Sequence, residues 1–424
     1  MATNRNFIVK QGIQVGTSAN VIGNFTSNTY NSNRNNITGN PTFLMDFLKS
    51  PVLDSRVTFN RATKATYVNQ QGIVTTAPIN APRFEYDYVT GEFLGLLLEE
   101  TRTNIIQSSS NYVNTGTAWS YYGSAYTTPN TTIAPDGTNT ASTLSQATDV
   151  STGGENIYQV ATVVTGSTYV LSLWVKSAGA TTISIRIRDS NAGGTATAFA
   201  LTNSWQRIYI SYFIPTTATT SGTRFMIGGT DGNVYIWGVQ AEEGGRPTSY
   251  IPTDNATASR TADYAYVAGD GFNSFYNQSA GSLIVSYSMP YDSADSNFNL
   301  IAGFSDGSYA NSINMYERSI DDTNRAYYRY GGVTSSDITN STAYTYNSNT
   351  SKVILTYGAG SYSLSVASST TVTGTAAILP TMTMLGIGTN YHTGGSLDAI
   401  SGHIKRVAYY PRQFSSNEQT SLIS

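Results

Sequence analysis

The chain has 424 residues, of which 12% are charged, and its formal charge is −3; about 25% charged is usual. Aromatics make up 12% (31 Tyr, 15 Phe) and Cys is zero, which excludes the disordered class with its high charge and few rings, disulfides and thiol chemistry. Scattered basic residues leave no stripe for nucleic acid, and the longest apolar run, Leu94 to Leu98, is too short to cross a bilayer.

At roughly 100–200 residues per domain the length predicts two to four domains. Thr, Val, Ile and Tyr suit a pleated, half-buried surface, so the expected class is all-β with one or two short helices. The opening MATNRNFIVK has no apolar h-region, so no secretory signal is expected. Absence of Cys suits folding in a reducing cytosol followed by work outside cells.

Residues 1–45 are set apart. FIVKQGIQVG alternates as a short strand, and the Asn/Ser/Thr-rich stretch NFTSNTYNSNRNNITGNP has too few buriable residues to form a core alone. It is either a loose tail or a segment ordered by a partner or by its own copies. Residues 46–106 read as a small β module: RVTFNRATKATYV and GIVTTAP alternate, and Thr90-Gly91 turns FEYDY back into EFLGLLLEE.

Residues 107–253 read as a β-sandwich, with strands about 8–15 residues apart and polar turns between them. STYVLSLWVKS puts Tyr169, Leu171, Leu173 and Val175 on one face and Trp174 on the other. TTISIRIRDS puts Ile183, Ile185 and Ile187 inward and Ser184, Arg186 and Arg188 outward. Residues 254–271 read as a connector. Residues 272–424 read as a second sandwich, with a hairpin turning at Gly358-Ala359-Gly360. At the end, Ser415 with Glu418 three residues on is a capping box, predicting a short C-terminal helix.

The opening MATNRNFIVKQGIQVG and the blocks SPVLDSRVTFNRATKATYV and APRFEYDYVTGEFLGLLLEETRTNII resemble tail-fibre and head-fibre virion proteins of tailed, cyanophage-like bacteriophages. IWGVQAEEGGRPTSYIPT is similar to the closing strand of carbohydrate-binding-module-like jelly rolls in those proteins. GHIKRVAYYPRQFSSNEQTSL resembles the end of a concanavalin-A-like lectin (laminin-G-like) domain. The resemblance implies a structural protein on the virion surface, made in the host cytoplasm. It implies a homotrimer joined to tail or capsid proteins through residues 1–45, a jelly roll over 107–253 and a lectin domain over 272–424 touching host surface glycans. A capsid decoration without glycan binding and a glycan depolymerase are the alternatives.

The chemistry available favours sticking over cutting. His392 and His403 are the only histidines; Asp398 lies six residues after His392, but no GxSxG elbow accompanies them. Glycoside hydrolysis needs two carboxyls across a sugar cleft. The doublets Glu99-Glu100 and Glu242-Glu243 point to opposite faces of a strand, and only Glu85 with Asp87 share one. The resemblance treats the doublets as structural, partnering Arg102 and Arg246. No enzyme activity, cofactor, nucleic-acid partner or membrane insertion is therefore expected. Sugar sites pair exposed rings with polar side chains. The candidates are Trp119, Tyr121 and Tyr122 in TAWSYYGSAY, Asp306 and Tyr309 in GFSDGSYANS, and Asn390, Tyr391 and His392 in GTNYHTGG. Packing in a core or an interface is the competing reading for each ring, and the expected one for Trp174 and Trp237. Asp292 with Asp295, or Asp321 with Asp322, offer oxygens of the kind a structural Ca²⁺ takes, against the simpler reading of solvated turn acids.

Overall fold

The computed structural model describes residues 39–423 apart from 113–117, 153, 155, 230–231, 291–297, 309, 347–348, 368, 377 and 390–398. The class is all-β: antiparallel sheets with two short helices among the described residues, Gly269–Asn273 and Ser416–Ile423. The capping box forms as the spacing predicts, with the Ser415 amide donating to Glu418 Oε2 at 2.9 Å and the Glu418 amide to Ser415 Oγ at 3.3 Å.

The first sandwich has two five-stranded sheets. One runs Gln206–Phe213, Thr168–Ser177, Val234–Glu243, Ala141–Ser145, Tyr126–Thr132; the other runs Thr197–Ala200, Thr182–Arg188, Thr223–Gly229, Asn156–Ala161, Ser120–Tyr122. Strict alternation drives their packing. Leu171, Leu173 and Val175 from one sheet meet Ile183, Ile185, Ile187, Phe225 and Ile227 from the other in a sealed core, and the inward side chains of that core are those the period-two pattern picks out.

The second sandwich pairs an eight-stranded sheet with a seven-stranded one. Its composition departs from the linear order expected from the sequence. Phe43–Asp46, Arg83–Tyr86 and Phe93–Leu98 lie in the same sheet as Ala280–Ser288 and Gly402–Tyr410. Thr58–Asn60 pairs with Tyr264–Ala268 in the other sheet. Residues 46–106 are therefore not a separate module, and the first sandwich is inserted into the second. The reason is burial: Phe43, Phe47, Phe59, Leu96 and Leu98 belong to one core whose larger part is built by residues 265–409. The predicted hairpin is present, with Gly91 at φ 70° where a side chain would be strained.

The chain leaves the second sandwich along Arg102–Asn104 and returns along Ala258–Arg260, and these two strands pair antiparallel. A buried ionic cluster sits beside them. Arg83 reaches Glu99 at 2.7 Å and Asp263 at 2.5 Å, Arg61 reaches Asp263 at 2.9 Å, and Arg260 also grips Glu99. Ser249 donates its amide and hydroxyl to Glu99 at 2.6 and 2.7 Å. The GLLLEETRTN and PTSYIPT blocks are thus the parts that clasp the two sandwiches.

Candidate functional site

The two outer faces of the first sandwich have different fates. On the sheet holding Thr168–Ser177, Trp174 and Trp237 pack with Val74, Ala134, Ala141 and Tyr250 in a second apolar cluster. Tyr88 lies against Trp174 at 4.4 Å and Tyr250 against Trp237 at 4.7 Å. That face is spent on intramolecular packing, as expected for these tryptophans, and burial pushes the Tyr250 hydroxyl up to about 12.

The outer face of the opposite sheet carries a row of rings and cations. Ile157, Ile185, Ile187, Phe225 and Ile227 point inward, so Tyr158, Val160, Arg186, Arg188, Arg224 and Met226 lie on the outer side; Met226 is buried there, and the adjoining row of Ser184, Gly228 and Asn156 is covered by Thr148–Val150. Tyr158 is paired with Met226, Arg186 with Met226, Val160 with Arg224, and Arg188 with Arg224. The Arg224 guanidinium lies over the Tyr158 ring at 4.9 Å, a favourable cation–π geometry. Arg186 is pinned by bonds from its Nε to the Gly194 carbonyl (2.8 Å) and from its Nη2 to the Ala192 carbonyl (2.9 Å). Tyr122, on the edge strand, is 55% exposed. A half-buried ring with guanidinium groups on the same side, and an exposed edge tyrosine, are the kinds of group that take the apolar face and hydroxyls of a sugar.

The candidates read from sequence divide. Tyr122 is where a ligand could meet it. Trp119 is not: it is 2% exposed, packs edge-on against Tyr112 at 5.3 Å and donates its indole N–H to the Ser108 carbonyl at 3.1 Å. Tyr121, its side chain on the inner side of the same short strand, is half-buried and hydrogen-bonds to Tyr112 and Thr127. The TAWSYY composition looks like a loop, but a strand forms there and alternation turns Tyr121 inward. Asp306 is also used up locally. It accepts from the Ser308 amide (2.9 Å) and hydroxyl (2.6 Å) and from Asn311 Nδ2 (2.7 Å). Burial would raise its carboxyl, but these bonds hold it below the usual value. Tyr309, Asn390, Tyr391, His392, Asp398, Asp292 and Asp295 lie outside the described residues. Asp321 is engaged by Arg325 at 2.6 Å and Arg318 at 3.5 Å; Asp322 follows it in the same turn with φ 54°.

The carboxyl groups considered for hydrolysis are held in local structure. Glu85 accepts from the Val68 amide at 3.2 Å and lies 2.8 Å from His403 Nε2. Asp87 accepts from the Val89 and Thr90 amides at 2.9 and 2.7 Å, and a bulge breaks the ladder between Glu85 and Tyr86. Glu100 pairs with Arg102 at 2.5 Å, as the resemblance implies. Glu242 instead binds the Thr248 amide and hydroxyl, while Arg246 stacks on Tyr209. A cleft of about 210 Å³ runs between the sandwiches past Tyr88, Trp174, Arg207 and His403. A hollow of about 170 Å³ lies on the seven-stranded sheet, walled by Phe298, Tyr316, Tyr327 and Asp337.

The outward row itself was partly legible. TTISIRIRDS flags Arg186 and Arg188, and the same alternation applied to RFMIGG would have added Arg224 and Met226. Their meeting with Tyr158 depends on strand order, which the sequence does not print.

No curated protein matches the chain. Among solved structures, the chain is similar to the CBM40 of the Ruminococcus gnavus IT-sialidase, solved with alpha2,3 sialyllactose. That match has 14% identity and a TM-score of 0.31, covering 36% of this chain and 88% of that one. It is also similar to the enzymatically active domain of Bacteriophage CBA120 tailspike protein 4 (19% identity, TM-score 0.26, 33% and 21% covered). A third similarity is to the CBM22-1–GH10 modules of Clostridium thermocellum Xyn10B with xylohexaose (14%, TM-score 0.28, 36% and 30% covered). Residues 99–232, which hold most of the first sandwich and its open face, match the family described as a carbohydrate binding domain.

Proposed function

We propose that this chain is a non-enzymatic adhesion protein of the phage virion surface, of tail-fibre or receptor-binding type. Its first sandwich binds host surface glycans through the sheet face carrying Tyr122, Tyr158 and Arg224. The match of residues 99–232 to a carbohydrate binding domain is the observation that carries the reading. The open face fits it, because rings and guanidinium groups lie there without a paired set of carboxyls among the described residues. The segment expected over residues 1–45, in its part before the core strand Phe43–Asp46, would join sister copies into a trimer and dock them on tail or capsid. Single contacts of millimolar strength then gain about 10²–10⁴ in avidity when linked.

A glycan array read together with a chain-length assay of the bound polysaccharide tests this. Retention with the polymer intact is expected. Shortening of the polymer would make the protein a depolymerase, and no retention on any glycan would leave a decoration role. Immunogold labelling of particles separates tail from head.

A further inference from the structure

We propose that the open face of the first sandwich selects glycans bearing negative charge, through carboxylate or sulfate groups bound by Arg188 and Arg224 beside the Tyr158 ring. This rests on the glycan-binding reading above and names its ligand class.

Arg188 and Arg224 are directly opposed across neighbouring strands, an arrangement in which like charges repel. Arg102 and Arg260 are also opposed on neighbouring strands, but each meets a carboxylate, Glu100 and Glu99. Arg61, Arg83, Arg102, Arg260, Arg325 and Arg412 have acidic partners, while Arg246, like Arg224, lies over a tyrosine ring. Among the described residues no carboxylate pairs with Arg188 or Arg224, and the contact made by Arg224 is with the Tyr158 ring. Arg186 adds a third cation on the same face, one row along. In a protein of net charge −3 with 12% charged residues, three arginines on the outer side of two neighbouring strands are not explained by a generally basic surface.

An anion removes the conflict. A guanidinium presents parallel N–H donors that match a carboxylate or sulfate in a bidentate fork. Two opposed forks can take one anionic group between them or two on successive residues. Tyr158 supplies the ring for the sugar's C–H face, and its contact with Arg224 already orients that fork, lowering the ordering cost of binding. Lysines at these positions would offer point charges without the fork.

The test is affinity electrophoresis of the full chain in gels containing alginate (carboxylated), dextran sulfate (sulfated) or neutral dextran. Retardation by at least one anionic polymer is expected, weakening as salt is raised. Arg188→Gln with Arg224→Gln should weaken it about tenfold or more, Arg188→Lys with Arg224→Lys should fall between, and Lys176→Gln on the opposite sheet should leave it unchanged. Melting temperatures of all variants report folding. Full retardation of the Gln double variant overturns the proposal. So does equal retardation by neutral dextran, which would leave glycan binding standing without charge selection. Displacement by duplex DNA at equal charge concentration would reassign the patch to nucleic acid and overturn it too. Loss of the glycan reading itself would appear instead as no retention on the full array.

Discussion

Glu99→Gln tests whether the buried cluster clasps the two sandwiches. Glu99 is 4% exposed and accepts from Arg83, Arg260 and both donors of Ser249. Burial alone would raise its carboxyl, but Arg260 and Arg83, with Ser249, hold it well below the usual range. Glutamine keeps the shape, yet it turns an NH₂ donor toward guanidinium donors; Asp263 still bonds Arg61 and Arg83, but Arg260 loses its carboxylate. Breaking one partner out of a buried ionic set costs about 3–5 kcal/mol. For a unit of this size that is a fall in Tm on the order of 10 °C. Calorimetry should also show the first sandwich melting ahead of the second, since Ser249 and Arg260 lie on its return path. Glu99→Met combined with Arg260→Met should cost less than the two single changes added together, because the uncompensated charge disappears with its partner. A Tm for Glu99→Gln within about 2 °C of wild type, with one transition, would refute the reasoning.

Four other outcomes are expected. Removing residues 1–47 strips Phe43, Met45 and Phe47 from the core and should cost several kcal/mol more than removing residues 1–38, at about 1.5–3 kcal/mol per buried side chain; calorimetry of both truncations checks this. Trp119→Ala should lower stability by about 3–5 kcal/mol through a core cavity, while Tyr122→Ala stays within about 0.5 kcal/mol and weakens glycan retention, so paired melting and gel-retardation measurements separate the two tyrosine and tryptophan roles. Glu99 and Glu418 both have folded pKa values below their unfolded ones, Glu418 at about 2 through Arg412 and Ser415 against burial; their stabilisation is complete above the unfolded value of about 4.3 and is lost as pH falls below it, so denaturant midpoints should hold from pH 7 to 5 and drop from pH 4 to 2. Gly95→Ala should destabilise by about 2 kcal/mol or more, because φ is 126° and a Cβ would stand 2.6 Å from the Ile404 carbonyl oxygen, which a denaturant titration reads directly.

Local patterns were enough for the class, the inward faces and the ends of elements. Period-two alternation picks out Ile183, Ile185 and Ile187 as core, because a strand has only two sides and one of them must leave water. The Ser415–Glu418 capping box and the Thr90-Gly91 turn are equally local, each settled by a few backbone groups. Tertiary structure decided everything that depends on which strand lies beside which. Phe43 looks like the end of the N-terminal segment, and Phe59 and Leu96 like parts of a separate small module, until their partners, more than 200 residues away, are known, and the insertion of one sandwich into the other follows from that pairing. The same holds for the open face. Arg188, Arg224 and Tyr158 are spread over more than sixty residues, and only the order Thr182–Arg188, Thr223–Gly229, Asn156–Ala161 makes them neighbours. Which sheet face stays open is likewise non-local, since Val74, Tyr88 and Tyr250 cover the tryptophan face from outside the sandwich's own strands.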